Sequence, residues 1–352
     1  MTDSTPSLQK PRVKLQDIAE RTGFAVSTIS TILNGQRNMG FISDQTRQEV
    51  WRVAEELGYQ RLRHARRPRV HEVGVFSSPA DVYYEAVGTI CQVLHERGYR
   101  AVVEIESDRP AVYASALEQF RKFQIDGALF IGSRTGVSDV PPAELPCVIV
   151  GSVPEGIQAN CVALDQHEAG RLAGEHLWEL GHRRVSVILW EGYGFRWRQR
   201  GLQAVWSAQG APDTDLREAL TPPVPIISGS AEERDFVRLI EETLATGPGE
   251  PPVTAFFCAG GDDLAAPSIR ALHRLGLCCP EDVSIVSLDN TRWADLYEPA
   301  LTTIDHAWAE MGGLAADLLL KVLQAPAGEI FPIVVYQPRL ILRETTAPPK
   351  PT

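Results

Sequence analysis

The sequence predicts a small all-α head joined to an α/β core of two doubly wound subdomains, on three observations. The stretch DIAERTGFAVSTISTILNG (17–35) has the pattern of two short helices broken at a single glycine. Beyond residue 70, short apolar runs alternate with helical patterns. Charge is divided as well: residues 1–70 hold 12 Lys and Arg against 7 Asp and Glu, net +5, while the rest carries −16 within an overall −11. At 352 residues the chain can bury two or three cores.

The head comes first. Leu15, Ile18 and Ala19 line one face of a first helix, Gly23 supplies the turn, and Ile29, Ile32 and Leu33 line one face of a second. Ala19 is small enough for close approach of the two helices, and Ile29 plugs the angle between them. A third helix starts at Ser43, whose hydroxyl can cap free N–H groups, runs through Val50, Val53, Ala54 and Leu57, and stops at Gly58. Three such helices leave one free to enter a major groove. A generic helical bundle is the competing reading, and the basic charge favours DNA. Five arginines follow in RLRHARRPR (Arg61, Arg63, Arg66, Arg67 and Arg69), either a solvated linker or a set of phosphate contacts.

The core follows from six apolar runs: EVGVF (72–76), GALFI (127–131), CVIVG (147–151), RVSVIL (184–189), VTAFFC (253–258) and VSIVSL (283–288). Helical patterns at 85–97, 168–180, 232–245 and 264–275 lie between them, which gives parallel α/β layers. So many units exceed one sheet, so two similar subdomains with a cleft are expected. Ligands in such sheets sit beyond the carboxyl ends of the strands, here marked by Ser77, Ser133, Ser152, Trp190, Asp262 and Asp289. Trp190, Trp197, Trp293, Tyr83 and Tyr84 offer flat faces for stacking on a sugar, with core packing as the other use of each. The expected divisions are a DNA-binding domain at 12–60, a basic linker at 61–71, the core at 72–346 and a flexible tail at 347–352.

Other classes are disfavoured. No run of about eighteen apolar residues exists, and MTDSTPSLQKPRVK lacks the apolar region of a secretory signal, so a cytoplasmic protein without a membrane span is expected. The six cysteines have no C-x-x-C spacing, which argues for reduced thiols and against a zinc site. No phosphate loop, dinucleotide fingerprint, H-E-x-x-H or G-x-S-x-G occurs, so neither an enzyme nor a cofactor is expected. Adjacent carboxylates in GGDD (260–263) suit a helix cap better than a metal.

VKLQDIAERTGFAVSTISTILNG, ISDQTRQEVWRVAEELGY and the basic run resemble the head of the lactose-repressor (LacI/GalR) family of bacterial transcription regulators. AGRLAGEHLWELGHRRVSVI, RWRQRGLQA, PEDVSIVSLDN and YEPALTTIDHAWAEMGGLAADLLL resemble that family's effector-binding core in the same order. The resemblance implies a core like the type I periplasmic binding proteins and a homodimer on palindromic operator DNA. It implies that Lys14 faces phosphate, that Val26, Ser27 and Thr31 point at base edges, and that Thr28, Ser30 and Asn34 lie beside the backbone. Arg63, Arg66 and Arg67 would meet phosphate. In the core it implies Arg198 as an effector contact, a helix-surface arginine being the alternative, and Asp289 as an acceptor of sugar hydroxyls, a turn role being the alternative. Trp190, Tyr83 and Ser77 complete the expected site for a sugar-like effector. A solute-binding receptor of the same core fold is the competing function, but it would have an export signal and no helix-turn-helix.

Departures from the family pattern accompany these matches. Thr31 stands where many members carry arginine, and Ala25 where they carry serine or threonine. The linker lacks the Pro-Asn pair after Tyr59, and Pro68 falls where a leucine wedges into the minor groove. The loop between Gln36 and Ile42 is longer than usual, and Gly261 occupies the place of a common ligand-contacting asparagine.

Overall fold

A computed structural model describes residues 13–34, 42–57, 69–78, 81–105, 109–122, 124–132, 144–151, 158–190, 196–212, 215–221, 230–247, 249–326 and 328–351. The head consists of α1 (Leu15–Thr22), α2 (Val26–Asn34) and α3 (Asp44–Glu56). Gly23 ends α1 at φ +73° with its N–H returned to the Ala19 carbonyl, a left-handed cap that disfavours any residue with a Cβ. Ser43 Oγ accepts from the Thr46 N–H at 3.1 Å and so opens α3. Ile18, Ile29, Ile32, Leu33, Val50, Val53 and Ala54 are buried together, with Leu15, Ala19 and Leu57 packed around them. The expected stop at Gly58 lies outside the described residues.

The first subdomain contains β1 (Glu72–Ser77), a 3-10 turn at Asp81–Tyr83, α4 (Tyr84–Glu96), β2 (Arg100–Ile105), α5 (Arg109–Arg121), β3 (Gly127–Ile131), β4 (Cys147–Gly151) and β5 (Cys161–Leu164). The second contains α6 (Gln166–Glu179), β6 (Val185–Trp190), α7 (Arg196–Ala208), β7 (Leu216–Thr221), α8 (Ala231–Leu244), β8 (Ala255–Cys258), α9 (Asp262–Arg274), β9 (Ser284–Asp289) and β10 (Thr302–Asp305). The chain then returns to the first subdomain for α10 (Trp308–Gln324) and β11 (Val334–Tyr336), and ends in the second with β12 (Arg339–Ile341). Two six-stranded sheets result, ordered β2-β1-β3-β4-β5-β11 and β7-β6-β8-β9-β10-β12. Every pairing is parallel except β10 with β12.

Strand runs that are apolar at every position are covered on both faces, as parallel sheets require. In the first sheet one face packs on α4 and α10 through Ile90, Leu94, Met311 and Leu319, and the other on α5 through Val112, Tyr113 and Ala116. In the second, α6 and α7 cover one face and α8 and α9 the other. Helices α6 and α7 touch backbone to backbone. A Cβ at Gly170 would strike the Arg198 carbonyl, and one at Gly201 would strike the His167 carbonyl.

Two ends of the core are tied down. Val70 and His71, the last residues of the expected linker, donate their N–H groups to the buried Asp126 carboxylate at 3.2 and 2.9 Å. The terminal segment, expected to be a loose tail, lies against the second sheet. The Ala347 carbonyl accepts from Ser284 Oγ and from His182 Nε2, both at 2.9 Å, and Lys350 pairs with Asp282 at 2.6 Å. Backbone and hydroxyl bonds hold it, so its proline-rich composition gave no sign of docking.

Candidate functional site

In the head, helix α2 buries Ile29, Ile32 and Leu33 and turns Val26 and Ser27 outward. Thr28 and Thr31 are half-buried, and the Thr31 hydroxyl donates to the Ser27 carbonyl at 2.8 Å. Lys14 is exposed at the start of α1, where its backbone N–H donates to Asp17 Oδ2 at 2.6 Å. Ser30 is half-buried, and Asn34 closes α2. Arg63, Arg66, Arg67, Pro68 and the loop 35–41 lie outside the described residues.

In the core, the carboxyl ends of β6, β8 and β9 converge on one turn, Ala259–Gly261. Arg198, in the first turn of α7, is 3% exposed. Its Nη1 donates to the Ala259 carbonyl at 2.6 Å and its Nε to Gln166 Oε1 at 2.5 Å. Burial pulls the guanidinium pKa down, and the Asp289 charge and then Tyr83 oppose that shift. A helix-surface arginine would have none of these contacts. Trp190, ending β6, donates its indole N–H to the Gly260 carbonyl at 3.0 Å.

Asp289 ends β9 at φ +95°, a conformation that costs a side-chain-bearing residue and persists only when its surroundings hold it. His306 holds it: the imidazole is fully buried, and Nδ1 lies 2.9 Å from Asp289 Oδ1. Burial pushes the Asp289 carboxyl up, but His306, then Arg198 and the Trp308 indole, hold it below the usual carboxylate range. Burial likewise lowers the His306 pKa against the pull of Asp289. His306 Nε2 is buried and has no hydrogen-bond partner among the described residues. A Cβ at Gly261 would collide with the Asp289 carboxylate. The missing asparagine thus makes room for the aspartate.

Tyr83 reaches this group from the first subdomain. It is buried and meets Trp308 edge to face, with ring centroids 4.9 Å apart, and Trp308 lies 5.9 Å from His306. Arg198, Asp289 and Tyr83, widely separated in sequence, are therefore gathered by the fold. Ser77 is buried at the end of β1 with its hydroxyl donating to the Ser78 carbonyl. Ser133 and Ser152 lie outside the described residues. Sequence reasoning missed His306, Trp308 and Gln166. The signal for the first two was TTIDHAWAE, a histidine and a tryptophan between a short strand and a long helix, at a crossing between sheets that local pattern does not reveal.

Asp262 has a structural task. It accepts from Ser287 Oγ at 2.6 Å, from the Thr291 N–H and hydroxyl at 2.8 Å each, and from Thr303 Oγ1 at 3.2 Å. Burial, and then the charge of Asp289, push its carboxyl up to about 6. No group of metal-binding side chains exists among the described residues, and no described helix is long and apolar enough to cross a membrane.

A model of the bacterial regulatory proteins of the lacI family matches residues 14–61, and one of a periplasmic binding protein-like domain matches residues 174–346. The chain is 28% identical over 348 residues to the HTH-type transcriptional repressor PurR of Erwinia tasmaniensis, covering 95% of this chain and 96% of the relative. A LacI-family transcriptional regulatory protein from Corynebacterium glutamicum is similar with a TM-score of 0.63 at 28% identity, over 80% of this chain and all of that one. The transcriptional regulator CelR, solved as a cellobiose complex, shares the fold with a TM-score of 0.65 at 24% identity, over 95% of this chain and 100% of that one. Head, core and their order along the chain agree: a head of the lacI family of bacterial regulatory proteins precedes a periplasmic binding protein-like core domain.

Proposed function

We propose that the chain represses transcription as a homodimer whose grip on operator DNA is set by a neutral, hydroxyl-rich metabolite of the sugar class bound between the two sheets. The observation that carries this reading is the buried trio of Arg198, Asp289 and His306 at the carboxyl end of the second sheet. A charged ligand would meet both an opposite and a like charge in the adjoining Arg198 and Asp289. A polyol instead donates to Asp289 and accepts from Arg198, while Tyr83, Trp190 and Trp308 supply flat faces. The bound cellobiose of CelR supports the same ligand class.

In the head, Val26, Ser27 and Thr31 read base edges, while Lys14, Thr28, Ser30, Asn34, Arg63, Arg66 and Arg67 contact phosphate and sugar. Two symmetric heads supply the specificity that one small domain lacks. The work is binding throughout, and no residue is assigned a catalytic step.

Thermal unfolding in the presence of a panel including cellobiose, ribose, gluconate and guanosine tests the cleft. One class of compound should raise the wild-type midpoint, and Arg198→Ala and Asp289→Ala should not respond. Losing a charged hydrogen bond of about 1.5–3 kcal/mol raises Kd by about one to two decades. Equal responses from both variants and the wild type would overturn the assignment.

A further inference from the structure

We propose that α10 carries the state of the cleft to the DNA-binding head and that Arg69 is the residue that receives it. The inference rests on the ligand-controlled reading above, but its test uses no effector, so the two can fail separately.

The two ends of α10 carry the argument. Its first residue, Trp308, is packed between Tyr83 and His306, directly after the chain crosses between sheets at His306 and Ala307, the latter at φ +47°. Its last turn ends where the chain from the head enters the core. There Arg69 Nη2 donates to the Leu323 carbonyl at 2.9 Å, and Nη1 reaches Tyr99 Oη at 3.3 Å. Carbonyls in the last turn of a helix lack intrahelical partners, and the helix dipole favours a cation beside them. Arg69 therefore belongs to the core, unlike the DNA role its basic run suggested. Beside it, the paired bonds from Val70 and His71 to Asp126 fasten the same short segment to the first sheet.

Seventeen residues of helix span about 25 Å. This rod is stiffly bedded. Met311, Ala315, Ala316 and Leu319 are buried in the first core, and a Cβ at Gly312 would come within 2.5 Å of the Ala86 carbonyl on α4. Helix α10 and the first core that beds it thus move as one body, so a shift at Trp308 is felt at the far end, which holds Arg69 directly.

The test is a double-mutant cycle on operator affinity, using full-length protein and a DNA duplex it has selected from a random library. Trp308→Ala should change affinity about fivefold or more in the wild-type background and leave it unchanged when Arg69→Met is also present. Remote sites without a connection act additively, within about twofold. An additive result, or no effect of Trp308→Ala, would overturn the proposal. Should Trp308→Ala fail to fold, Trp308→Phe enters the same cycle, with amide exchange at Val70 and His71 as a second readout. Faster exchange there on changing Trp308 supports the connection, and unchanged exchange contradicts it.

Discussion

Asp289 and Gly261 show how one side chain displaces another. Where the family resemblance implies asparagine, this chain has a glycine at φ +100°, and the neighbouring carboxylate fills the space. Gly261→Asn should therefore cost about 1–3 kcal/mol of stability through overpacking, read by denaturant unfolding, and should abolish stabilisation by the effector class. Asp289 and Arg198 could be named from the family resemblance, which did not show that they meet. His306 was not legible, because its meaning comes from Asp289, seventeen residues earlier and on a neighbouring strand. His182 makes a separate prediction. It is buried between Thr254 Oγ1 and the Ala347 carbonyl, and burial drops its pKa to about 4. With an ordinary value of 6.5 when unfolded, the unfolded chain takes up the proton first as pH falls. Stability should decline between pH 6.5 and about 4 by up to about 3 kcal/mol from this group. Unfolding midpoints across that range should slope less steeply in His182→Gln. Parallel slopes would place the acid sensitivity elsewhere.

At the scale of elements, two glycines make opposite kinds of demand. Gly23 needs a left-handed backbone but has open space around its missing Cβ, so Gly23→Ala should cost about 1 kcal/mol and leave the head folded. Gly201 has the backbone of α6 against it, so Gly201→Ala must push α7 away. That displacement moves Arg198, one turn earlier on the same helix. Thermal unfolding and effector binding should both suffer in Gly201→Ala, whereas a stable, responsive variant would contradict the close packing of α6 and α7. Elements with a fully apolar run or a clean helical period were legible: β3 and β4 fall where the sequence predicts them, and β1, β6, β8 and β9 within two residues. Strand β2 escaped because it is an edge strand with no fully buried residue, and β5 and β10 because four residues carry too little pattern. Helix α5 has almost no polar-to-apolar contrast between its faces.

For the whole molecule, the division of charge mirrors the division of labour. A head of net +5 faces phosphates while a core of net −16 is repelled by them, so operator binding should weaken steeply with salt. Replacing Arg66 and Arg67 with alanine should lower affinity for all sequences alike and flatten the salt slope by about two. A fragment beginning at Arg69 retains the Asp126 and Leu323 anchors and should keep its fold without shifting DNA in a gel. The central claim is that the occupant of the cleft controls the head, and one titration tests it most directly. Fluorescence anisotropy of a labelled, protein-selected operator duplex is followed as the compound that raises the thermal midpoint is added. Operator affinity of the wild type should change by about tenfold or more, with Arg198→Ala flat across the same range while binding the operator normally in the compound's absence. An unchanged wild-type affinity at saturating compound, or an equal change in Arg198→Ala, would contradict the account.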